Sequence, residues 1–173
     1  MSDSSFPASI PCDWQGGRYV LAVLTHLEEG LFVSEHEGFA LSRIEATRGK
    51  IGEQAYQRAL LGVLDMQAGG AFSYGSNLSL RWLFSPEGRA AYIAILMRKG
   101  EAESKGQAPP PEHVLARAIR KKDEVLEAVF ERVLKRDFFE WWQSVQPPGN
   151  DKPEAGSSAA SAASGTTSQT SAA

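Results

Sequence analysis

Apolar residues recur along the middle of the chain at helical spacing, and each run is closed by a recognisable stop. Phe39, Ala40, Ile44 and Thr47 share one side of a helix. Ser34 with Glu37 three residues later forms a capping-box pattern at its start, and Gly49 stops it. A second helix over 51–68 carries Ala55, Tyr56, Ala59, Leu60, Val63 and Leu64 on one side and ends at Gly69–Gly70. The stretch "AFSYGSN" then reads as a loop, with Phe72 and Tyr74 covering a neighbouring helix end. Leu78 to Phe84 is short, apolar and interrupted by Arg81. In "SPEGRAAYIAILMRKGE", Ser85 fits the N-cap and Pro86 the first helical position, where its missing N–H costs nothing. Arg98, Lys99 and Gly100 mark the end of that helix. A solvated linker, "EAESKGQAPPP", leads to a Pro111-opened helix striped by Val114, Leu115, Ala118 and Ile119. Asp123 then caps "EVLEAVFERVLKR".

The first apolar run is ambiguous. Arg18 to Leu27 is nearly all apolar, and periodicity alone does not choose between a buried strand and a buried helix. Gly30 would end a helix here, but Glu28 and Glu29 would then sit unfavourably at its negative pole. Because everything that follows is helical, a helix is expected. The pattern predicts an all-α fold, a compact bundle of about six short helices over 18–145. The first seventeen residues, broken by Pro7, Pro11, Gly16 and Gly17, are expected to be loose. From 146 to 173 the chain is rich in Ser and Ala and carries no charge after Glu154, so it is expected to be disordered.

Composition narrows the function classes. A net charge of −3 does not suit a chain whose main task is neutralising phosphates. The basic residues Arg117, Arg120, Lys121, Lys122, Arg132, Lys135 and Arg136 are interleaved with Glu112, Asp123, Glu124, Glu127 and Glu131, the pattern of an ion-paired face. The single cysteine, Cys12, precludes an internal disulfide. No apolar run approaches the roughly 20 residues of a membrane span, and "MSDSSFPASIPCDWQGG" lacks signal-peptide features. A cytoplasmic protein is expected.

No catalytic, cofactor or metal residue is assigned, and the chain is expected not to be an enzyme. His26, His36 and His113 are scattered, no HExxH pattern occurs, and "EHE" around His36 is expected on the solvated surface. Cys12 falls in a Pro-bounded segment without a histidine partner. "GGAFSYGSN" lacks the Lys-Ser/Thr ending of a phosphate loop.

"DFFEWW" stands out. Each helical residue turns about 100°, so Phe138, Trp141, Trp142 and Val145 would lie off the Val125, Leu126, Val129, Phe130, Val133 face of a continuous helix. Either the helix stops near Arg136 and restarts, with Asp137 as N-cap and Glu140 at the third position, or it continues and offers its aromatics to a partner. Phe138, Phe139, Trp141, Trp142 and Val145 are therefore the candidate partner-binding residues.

The order of features in "SLRWLFSPEGRAAYIAILMRKGE" and "PPPEHVLARAIRKKDEVLEAVFERVLKRDFFEWW", about a third of the chain, resembles the small helical tail-assembly chaperones of long-tailed phages and prophages. That resemblance implies a non-enzymatic role in the host cytoplasm. It implies binding of the tape-measure protein and tail-tube subunits through apolar and aromatic surface, as a helix seated in a groove. The alternatives are a homo-oligomeric structural or adaptor protein and, less favoured by the charge pattern, a nucleic-acid-binding helical domain.

Overall fold

The computed structural model describes residues 8–104 and 107–138. It begins with a β-hairpin, not a helix: β1, Ser9–Trp14, pairs antiparallel with β2, Gly17–Ala22, in a register running from Ser9↔Ala22 to Trp14↔Gly17. Gln15 and Gly16 both have positive φ, 47° and 78°, which a two-residue turn matching the twist of the strands requires. Ile10, Cys12 and Trp14 point inward and Pro11 and Asp13 outward, a period of two that identifies a half-buried strand. Pro11 is tolerated because a two-stranded ribbon leaves an outer edge unpaired.

Two expectations are thereby corrected. The segment before residue 18 is not loose throughout, since Gly16 is part of the turn and Ser9–Trp14 is a strand. Arg18 to Leu27 is not one helix, and the fold is mostly helical rather than all-α. Tyr19 and Leu21 are inward strand positions, and the chain then turns into α1, His26–Glu45. Thr25 is the N-cap and Glu28 completes a capping box. Glu28 and Glu29 thus lie in a first turn, where the helix dipole favours them. Ser34, expected to start a helix, is interior.

The remaining helices are α2, Glu53–Ala68; α3, Asn77–Leu83; α4, Pro86–Ser104; α5, Glu112–Arg120; and α6, Glu124–Asp137. α4 is the axis of the fold. Every residue from Ala90 to Met97 is buried, because β2, α5, α1 and α3 cover it from different sides. Gly100, expected as a helix stop, is instead an interior position where α4 crosses β2: a β-carbon there would overlap the Val20 carbonyl. Asp123 caps α6 by accepting from the Val125 and Leu126 amides, and its other oxygen accepts the Trp14 indole N–H at 3.0 Å. One carboxylate thus starts α6 and fixes the end of β1 under it.

Candidate protein-binding surface

The end of α6 is sealed. Arg136 and Asp137 have side chains only 4% and 2% exposed and are paired at 2.6 Å. The Arg136 guanidinium also donates to the carbonyls of Leu21 and Ala22, at 3.2 and 2.7 Å, and the Tyr92 hydroxyl donates to Asp137 at 3.0 Å. Burial and the Asp137 charge nearby push the Tyr92 hydroxyl pKa far up, so it stays a donor. The helix closes at Asp137, and Phe138 leaves helical geometry at φ −127°, ψ 39°. Of the candidate residues, Phe138 is half-buried between the rings of Tyr74 and Tyr92, at 5.7 and 6.2 Å. Phe139, Trp141, Trp142 and Val145, and the tail 146–173, lie outside the described residues.

Other expected site features fall elsewhere. Cys12 is buried in the hairpin, where desolvation pushes its thiol up to about 11, the reverse of an activated nucleophile. Arg120 pairs with Glu87, Lys135 with Glu131 and Arg136 with Asp137. Three of the seven basic residues are thus tied to carboxylates within the fold. Among the described residues no group of three or more His, Cys, Asp or Glu side chains could hold a metal ion. No helix there is long and apolar enough to cross a membrane.

His36 is the clearest departure from expectation. It is buried, not solvated, and stacks flat on Trp82 at 4.5 Å with an interplanar angle of 2°, while Phe72 meets its edge at 4.8 Å. Burial lowers its pKa, so the ring is held neutral. Its Nδ1 and the Trp82 Nε1 are buried without a hydrogen-bond partner. A buried polar atom left unpaired costs about 1–3 kcal/mol, and a pair of them on one stack marks a place not optimised for stability.

Two cavities flank Trp82. One, about 410 Å³, lies between α1, α4 and α5, and three carboxylates, Glu35, Glu87 and Glu112, line it. Two arginines pair with these three acids: Arg120 holds Glu87, and Arg98 reaches Glu112 at 3.0 Å and Glu35 at 3.8 Å. The other, about 500 Å³, is a groove between α1, α2 and α3 with an apolar floor that includes Phe39, Ile44, Val63, Phe72 and Trp82. Arg43 and Arg81 are its only charged lining residues.

Beside this groove, α2 buries only Tyr56 and Val63. Leu61 is 57% exposed, and Leu64, Met66 and the preceding Ile51 are exposed too. Leu64, counted on the core side of the sequence pattern, faces solvent. The helix is attached mainly to α1, through contacts that include the Tyr56 hydroxyl on Glu45 at 2.6 Å and Gln67 on Glu37 at 3.0 Å. The apolar stripe of α2 was visible in the sequence, but which part would be covered was not. No protein-family model, curated protein or solved structure matches the chain.

Proposed function

We propose that this chain is a non-enzymatic protein-binding domain that shields an apolar helical client. In this reading it works as the tail-assembly chaperones it resembles would, on tape-measure and tail subunits in the host cytoplasm. The observation that carries the reading is the open apolar surface of α2 and its groove, set on a frame that is well packed elsewhere. Burying one large apolar side chain contributes about 1.5–3 kcal/mol. A client that covers two or three of these positions gains about 3–9 kcal/mol from apolar burial, against which the costs of association and ordering are set.

Co-expression with the tape-measure protein of the same phage or prophage, followed by affinity capture and gel filtration, tests this. A co-eluting complex that keeps the client soluble is expected, and a client that elutes or precipitates alone would overturn the reading. Light scattering on the isolated chain separates the adaptor alternative. A stable dimer that dissociates on Leu61→Gln, with no client bound, would favour self-association through α2.

A further inference from the structure

The charge around the groove is asymmetric in an informative way. Arg48, Arg89, Arg98, Arg120 and Arg136 each bind a carboxylate. Arg43 and Arg81 are solvent-exposed and, like Arg58, Arg117 and Arg132, pair with no carboxylate among the described residues, but only these two line the groove. The Arg43 guanidinium lies over the Phe39 ring, 5.9 Å from its centroid, so its charge sits at the edge of the apolar floor. Glu87, the acid that feels the Arg43 charge, is already held by Arg120. The neighbouring cavity differs: there three glutamates share Arg98 and Arg120, and here two guanidiniums stand beside an apolar floor with no acid in the lining among the described residues.

We propose that the groove between α1, α2 and α3 is the client-docking site. It takes an amphipathic helix whose apolar anchor residues are flanked by aspartate or glutamate. The apolar anchors seat on the Phe39–Trp82 floor, and the flanking carboxylates pair with Arg43 and Arg81 at the rim. A volume of about 500 Å³ falls within the roughly 300–1,000 Å³ of pockets that enclose a ligand or a few anchor side chains. The guanidiniums set which helix is accepted, because a lysine-flanked helix would bring like charges together at the rim. This inference rests on the protein-binding reading above and names its site and client chemistry.

The test uses the full ¹⁵N-labelled chain and two synthetic helical peptides about five turns long. Both carry the same apolar residues at i, i+4 and i+7, one with glutamate flanks and one with lysine flanks. The glutamate peptide is expected to shift the Trp82 indole resonance and amides of α1, α2 and α3. The double variant Arg43→Glu/Arg81→Glu, whose changes are at the surface, is expected to weaken that binding about tenfold or more and to prefer the lysine peptide. Equal binding of both peptides, shifts centred on the α4–α5 cavity, binding unchanged in the double variant, or no binding of either peptide would each overturn the proposal. Capture of the tape-measure client separates the two levels. If the double variant still captures it, the chaperone role stands and the groove assignment fails. If the wild-type chain binds the glutamate peptide but captures no tape-measure client, the groove stands and the phage role fails.

Discussion

On one side of the molecule α4 buries eight consecutive residues, Ala90 to Met97, and the hairpin is covered by α4 on β2 and by α6 on β1. On the other, α2 runs for 16 residues and buries two. The polar chemistry follows the same line only in part, since the Arg89 Nε on α4 is also buried without a partner. Under the hairpin, Arg136 satisfies Asp137 and two backbone carbonyls, Asp123 satisfies Trp14 and a helix start, and Lys99 bonds Glu28 at 2.9 Å and the Val23 carbonyl. Beneath the groove, two buried ring nitrogens have no partner. A protein that needed only to stay folded would gain by treating both sides alike. In the reading proposed above, the first side is the frame and the second the working surface.

The strongest way to break this contrast is to open the frame. Arg136→Ala leaves Asp137 buried without its counter-charge and two carbonyls without a donor, and is expected to cost about 3–5 kcal/mol. Urea unfolding followed by circular dichroism measures it. A loss below 1 kcal/mol would mean that the α6 end is not sealed. Next is Gly100→Ala, which drives a β-carbon into the Val20 carbonyl and is expected to cost about 1–3 kcal/mol by forcing α4 away from β2. The same measurement at a solvent-facing residue of α4 should show no such loss.

A smaller effect should come from the stack under the groove. The folded-state pKa of His36 is lowered, so the unfolded chain binds a proton more readily. Stability is therefore complete above the unfolded value of about 6.5 and falls as the pH drops below it. His36→Phe keeps the stack without the titrating nitrogen. Between pH 7.5 and 5.5 the wild-type melting temperature should fall more than that of the variant; parallel lines would contradict the account. The smallest expected effect on stability sharpens the comparison most. Leu61→Gln and Leu64→Gln should each change unfolding free energy by no more than about 0.5 kcal/mol. Both should reduce client capture if the α2 surface contributes to it.

Which parts of this were readable in the sequence follows from the range of the interactions involved. Ser85–Pro86 and Asp123 announce their helices because capping is local, and α4 and α6 begin where those residues place them. The hairpin was hidden because Pro11 and Gly16–Gly17 look like breaks until the strand opposite is known. The period-two pattern of Ile10, Cys12, Trp14, Tyr19 and Leu21 was nevertheless present. Glu28 and Glu29 signalled a helix start rather than a poor helix end. The buried Arg136–Asp137 pair and the His36–Trp82 stack join residues distant in sequence or at odds with their usual exposure, so no local pattern revealed them. Of the candidate aromatics, Phe138 lies among the described residues, and its packing on Tyr74, in the loop before α3, and on Tyr92 of α4 could not be read from helical phase.

The frame-and-surface account is tested most directly by hydrogen exchange on the full chain, alone and with the glutamate-flanked helical peptide. In the free protein the amides of α2 should exchange faster than those of α4 and β2, because its helix is held mainly by α1. Adding the peptide should slow exchange across α1, α2 and α3 and leave the hairpin and α4 unchanged. An α2 as protected as α4 in the free protein, or protection that appears on the hairpin side instead, would contradict it.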